Sequence, residues 1–458
     1  MLVGVRLAIA QYERLSILNY LWLYFIVLLA YSPGLVLLVY SNKIWKFPIL
    51  NFAFIGMFAF NALGSIGVFD EEKIYTIEFD SHSVSEDLVL LLVLQVILYY
   101  LLVVPYLMIR IRPIVPLSVS RYDGIGIGIG LSAILIIGSL YYHQTGTFLL
   151  LASLDGSMNV DNAYQFRDRL IYGLSNWPFY NLGFVFLPVF VSSYAFIRAK
   201  VKGRADLFFY VAILICFCAS LSMGSKAGLI NFVLSLAIAY GVYLGANGES
   251  LIKLIVNKSF LIFVLFSMML MIVGYLNATP EQLTMGMLSE RLWYRAFVTY
   301  PETMAAAISY TREIDFLGVT MFPTVRGLLS HEYSNLPLLL HVYIAGVPGG
   351  MNVPFAGEAF ISAGWLGVML ACPVIFGTLI ALQEIAFRLT SGVASLAFSS
   401  FYAYMAILLS INGMFATLFT FMYPITLLAL AATTLLIDWA FLKLSHHAQT
   451  LSNDQPKS

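Results

Sequence analysis
The chain has 458 residues, of which 60% are hydrophobic and only 10% charged, and its mean hydropathy is +0.88. That is far more apolar surface than one soluble core could hide, so a soluble enzyme is excluded. Twenty-four basic residues balance 24 acidic ones, which leaves no basic stripe for a nucleic-acid partner. Three cysteines, Cys216, Cys218 and Cys372, all fall inside apolar runs and read as small core residues, not as a disulfide framework or a zinc site.

Apolar runs of about 18 to 24 residues recur, the length needed to cross a hydrocarbon layer of about 30 Å. They predict an all-α, polytopic transmembrane bundle of about eleven spans. These lie near residues 17–40, 47–68, 88–109, 124–142, 178–197, 207–222, 227–244, 259–276, 356–379, 395–412 and 424–442. No repeat, low-complexity tract or linker interrupts the chain, so residues 1–458 are expected to form a single integral membrane domain.

The short loops on one side carry Lys43 and Lys46, then Arg110, Arg112 and Arg121, then Arg198, Lys200, Lys202 and Arg204. By the positive-inside rule that side is cytoplasmic. The longer loops then face outward. One runs from Phe69 to Asp87 and is strongly acidic; another runs from His143 to Trp177 and holds Arg167-Asp168-Arg169. The largest, residues 277–355, concentrates Arg291, Arg295, Arg312, Arg326, His331 and His341 among acidic groups.

Between the sixth and seventh spans stands Lys226, flanked by Gly224 and Gly228. A cation there needs water or a partner, and the glycines permit a tight turn with close backbone approach. Arg291 and Arg295 are four apart, so a helical segment would set both guanidinium groups on one face. Two such groups can grip a diphosphate bidentately. Pro301 suits the first turn of a further helix. His331 is a candidate proton acceptor near neutral pH, whereas His341, inside an apolar run, is expected to be buried. Glu358 lies where the ninth span begins, and an acidic group at that depth pairs with an arginine or serves a site. No Walker, GxGxxG or HExxH spacing occurs, so neither nucleotide nor metal is implied.

The order of these features resembles the bacterial O-antigen and exopolysaccharide repeat-unit polymerases, the Wzy-type family. The resemblance rests on Arg167 or Arg169 in the middle outward loop and on Ser225-Lys226 after a span. It is strongest over Gly318-Val319-Thr320 with Pro323 and Arg326, followed by Pro354-Phe355-Ala356-Gly357-Glu358 with Gly364 and Gly367. Lys226 stands where arginine is commoner, and Ser362-Ala363 stand where an aromatic usually precedes Gly364.

The resemblance implies a GT-C-like glycosyltransferase of the bacterial inner membrane with a large periplasmic loop. It would transfer a growing glycan from undecaprenyl diphosphate to the next lipid-linked repeat unit, without a cofactor, and a chain-length regulator is an expected partner. Arg291, Arg295, Lys226 and Arg167 or Arg169 would bind the diphosphate, with Arg326 among the catalytic groups. His331 or Glu358 would take the acceptor proton. An O-antigen ligase, using the same donor, and a lipid-glycan flippase or secondary transporter are the alternative functions.

Overall fold
The computed structural model describes residues 21–39, 46–69, 84–110, 123–146, 182–222, 226–249, 293–318, 336–345, 352–389 and 392–411, with 119 and 148. Every regular element among them is helical. Eight helices are long and apolar enough to cross a membrane: α1 (Leu21–Val39), α2 (Pro48–Val68), α3 (Ser85–Ile109), α4 (Asp123–Thr145), α5 (Leu182–Lys202), α7 (Lys226–Ala246, apolar from Gly228), α10 (Phe355–Arg388) and α11 (Gly392–Leu408). A shorter apolar helix, α6 (Leu207–Leu221), occupies the sixth expected position. Two more helices, α8 (Thr299–Glu313) and α9 (Leu336–Ala345), belong to the large loop. The chain is a multi-pass helical membrane protein. The spans expected near 259–276 and 424–442 lie outside the described residues.

The helices divide between two compact units. The first comprises Met1–Arg112, Leu283–Ala381 and Met405–Pro424. In it α2 and α3 share a buried amide pair, with Asn61 Nδ2 donating to Gln95 Oε1 at 3.4 Å. Burying polar groups at this depth is costly without such a partner. Phe54 and Tyr99 pack ring to ring above that pair's helices, and the Tyr99 hydroxyl donates to the Leu50 carbonyl.

The second unit comprises Pro113–Gln282, Leu382–Tyr404 and Ile425–Ser458. Here α5 packs against α4, α6 and α7 around a core that includes Ile127, Ile134, Val191, Ala195, Cys216 and Ala397. At the end of α5, Gly203 adopts the left-handed φ of +73° that closes a helix. Asp206 then caps α6 by accepting from the Phe209 amide, and it also accepts from Lys202 at 2.8 Å and Arg198 at 3.2 Å. The Lys202 ammonium and the Phe209 N–H hold its carboxyl well below the usual range, at about 2. Cys216 and Cys372 are buried as expected, but Cys218 is exposed on the outer side of α6.

Two helices contain a wider π-turn just before a proline: Leu182–Phe186 ahead of Pro188, and Tyr294–Val298 ahead of Pro301. A proline ring clashes with the carbonyl four residues back and offers it no N–H. One extra residue in the preceding turn lets that carbonyl swing aside. The expected α8 start at Pro301 is therefore revised. The proline does stand in the first α-helical turn, but the chain is already helical from Trp293.

Candidate functional site
The site expected at the outward loop is built in the first unit from α8, α9 and the beginning of α10. The α8 helix carries three small residues in a row, Ala305, Ala306 and Ala307, all fully buried. Spread over more than half the helix circumference, they let neighbours come close on more than one side. Gly357 of α10 is one of them, since a Cβ there would meet Met304 Cγ at 2.8 Å. The Thr303 hydroxyl lies 3.0 Å from the Asn352 carbonyl, which ties the segment before α10 to the same helix. The Phe355 amide donates to the Leu409 carbonyl at the end of α11, fixing where α10 begins.

Glu358 stands in the first turn of α10 and is only 3% exposed. Four residues later the helix breaks. Ala363 and Gly364 leave helical geometry, Gly364 with φ +60° and ψ −145°, a conformation open essentially to glycine alone. The turn is sharp, because a Cβ on Gly367 would lie 2.1 Å from the Ala359 carbonyl oxygen. The segment read as a single ninth span is thus a short helix, residues 355–362, a corner, and a membrane-length helix, residues 365–388.

The loop seals the corner. The Leu317 N–H donates to the Ile361 carbonyl at 2.9 Å, satisfying a group near the break, and the Phe316 ring lies 3.0 Å from where a Gly364 Cβ would stand. Phe360 and Trp365 meet edge to face across the corner at 4.9 Å. Phe316 therefore brings an aromatic to Gly364 from 48 residues away in sequence. Gly318, the first glycine of the motif, has φ +55° and ends this stretch.

Comparison with protein-family models, with curated proteins and with solved structures gives no match.

The remaining expected residues divide into two groups. Arg167, Arg169, Arg291, Arg326 and His331 lie outside the described residues. Arg295 lies on the π-turn Tyr294–Val298, and Lys226 is the first residue of α7. The following turn of α7 comes close to α6, since a Cβ on Gly228 would fall 2.0 Å from the Ser220 carbonyl oxygen. His341, expected to be buried, is only half-buried on α9.

Three polar partnerships were not legible beforehand. Arg312, in the last turn of α8, donates to Asp87 of α3 at 2.5 Å. Ser309 lies 3.0 Å from the Tyr343 hydroxyl and 3.3 Å from Glu313, linking α8 to α9. The Tyr294 hydroxyl donates to the Glu302 carboxylate. That last pair depends on the π-turn: residues eight apart stand about 80° out of line on an α-helix, but with one residue absorbed by the wide turn the offset falls to about 20°. The proline at 301 was the one sequence sign of it. Burial pushes the Tyr300 hydroxyl, whose ring packs edge to face on Phe60, up to about 12.

Proposed function
We propose that this protein is a glycosyltransferase of the bacterial inner membrane that polymerises undecaprenyl-diphosphate-linked oligosaccharide repeat units on the periplasmic face. The observation that carries the reading is Glu358, a carboxylate 3% exposed in a short helix that ends at a glycine corner. A carboxylate withdrawn from water at the membrane edge is costly to keep unless it is paired or serves a site, and buried acids of this kind mark candidate functional sites. It also falls within the stretch whose glycines and arginine resemble the repeat-unit polymerases.

In this reading Arg291, Arg295 and Arg326, with Lys226 and an arginine of the 143–177 loop, neutralise the diphosphate leaving group. Glu358 or His331 accepts the proton of the attacking sugar hydroxyl. A new glycosidic bond forms as the bond from the sugar to the diphosphate oxygen breaks, and the lipid diphosphate departs with its electron pair. Removing one preorganised cation of this kind typically costs about 10²–10³ in rate, and removing a general base about 10²–10⁴.

The test is complementation of a strain lacking the protein. Wild type should restore long glycan chains, whereas Glu358→Gln and Arg326→Ala should leave single-repeat glycolipid while the protein stays in the membrane at normal abundance. Full-length polymer from both variants would refute the assignment of these residues. Accumulation of undelivered polymer in the deletion strain would instead identify a ligase.

A further inference from the structure
Helix α9 (Leu336–Ala345) has ten residues, about 15 Å of helix, so it reaches only half-way across a hydrocarbon layer. It cannot be a span. Yet it is apolar on both sides. Leu336, Leu340 and Ile344 are buried, and the first two join Ala307, Tyr310 and Ile361 in a small core. On the other side Leu338 and Val342, four apart and hence on one face, are 41% and 44% exposed. Apart from His341 and the Tyr343 hydroxyl the helix is apolar; such a helix is ordinarily enclosed, whereas the Leu338 and Val342 side of this one is open.

The open face does not stand alone. Ile314 and Phe316, just past α8, are 60% and 50% exposed, and Leu317 between Phe316 and the corner packs on the same small core as Leu336 and Leu340. Phe316 rests on Gly364, the point from which the membrane-length half of α10 departs. That half presents Leu366, Leu370 and Val374 outward, four apart along one stripe as a lipid-facing helix does. Through Phe316 the exposed loop residues adjoin the helix whose outward apolar stripe begins at Leu366. The edge of the loop patch is marked by Glu313 and Asp315, both exposed and alternating with Ile314 and Phe316.

We propose that α9 lies in the membrane interface and beds Leu338 and Val342 in the acyl chains of the leaflet on that side, with Glu313 and Asp315 at the waterline. The described helix of the large loop is then held against the leaflet. The proposal rests on the membrane reading alone and stands whether or not the protein is a transferase.

Nitroxide labelling of the full chain in phosphatidylethanolamine–phosphatidylglycerol liposomes tests it. Cys216, Cys218 and Cys372 are first replaced by alanine, and single cysteines are then placed as Leu338→Cys, Val342→Cys, Leu370→Cys for lipid and Glu313→Cys for water. Collisions with oxygen should exceed those with a water-soluble nickel chelate several-fold at 338, 342 and 370, and the order should invert at 313. Nickel access at 338 and 342 matching that at 313 would overturn the proposal. Exclusion of both reagents there would equally overturn it, because it would mean a protein surface covers the face. Since both sites are surface positions, a folded background is checked by the 370 and 313 labels in the same preparation.

Discussion

Arg312 and Asp87 are 225 residues apart in the chain and form an ion pair, one at the end of the large loop's helix and the other in the first turn of α3. The pair brings the first turn of α3 and the last turn of α8 together within the first unit. Both side chains are substantially exposed, so the coupling between them should be small, about 0.2–1 kcal/mol, and weaker in high salt. A double-mutant cycle with Arg312→Ala and Asp87→Ala, read by thermal unfolding in detergent, checks the magnitude. Cysteines at both positions should react with an impermeant reagent from one side of sealed vesicles only.

Gly364 has a backbone conformation that other residues rarely adopt, and the Phe316 ring occupies the space a side chain would need. Gly364→Ala should therefore destabilise the protein by about 1–3 kcal/mol from backbone strain, with the ring contact added. Phe316→Ala in combination should recover only the second part. Gly318→Ala, at φ +55° with open space around it, should cost less. Melting temperatures of the four variants settle the order.

Tyr294 and Glu302 meet only because the π-turn brings them into line. Tyr294→Phe should lower stability by about 1.5 kcal/mol, the low end for a hydrogen bond to a charged group, since Glu302 is half-buried. Gly64→Ala should be worse, because its Cβ would meet the Phe297 carbonyl oxygen at 2.2 Å. That is the very carbonyl to which Pro301 has no N–H to give. An equal melting temperature for Gly64→Ala and wild type would contradict this packing.

Asp206 supplies a dependence on pH. Its carboxyl sits at about 2 in the folded protein against an ordinary 3.8. A depressed folded value means the contribution is complete above the unfolded pKa and disappears as pH falls through the folded one. The melting temperature should accordingly fall between about pH 4 and pH 2. Asp206→Asn, which keeps a capping oxygen but not the charge, should flatten that fall while lowering stability modestly at neutral pH.

Hydropathy alone located α1 to α5, α7 and α11 to within about five residues, and found the start of α10 while ending it nine residues early, because a span is defined by the length and composition of its run and by little else. What escaped was geometry that costs no apolar residue. The Gly364 corner was hidden because a glycine inside an apolar run does not lower its hydropathy, and the π-turns insert a residue without altering composition. The Arg312–Asp87 pair was out of reach because nothing local links two loops so far apart. Glu358 was legible, since a carboxylate beside a span is conspicuous by type. Its burial was not, because nothing local in sequence shows α8 coming against the first turn of α10 at Gly357.

Drawn straight, the 34 residues of α10 would extend about 51 Å, well beyond a hydrocarbon thickness of about 30 Å. Folding the first eight aside and giving Ala363 and Gly364 to the corner leaves 24, about 36 Å, which a bilayer accepts with modest tilt. In a straight helix Glu358 and Arg388, 30 residues apart, would be separated by about 45 Å. Any substitution that let the two halves align end to end would force a choice between drawing the carboxylate into hydrocarbon and pushing the arginine's end far beyond the bilayer. The bend is therefore a length adjustment, and it gives a reason, rooted in membrane thickness, for a glycine at 364.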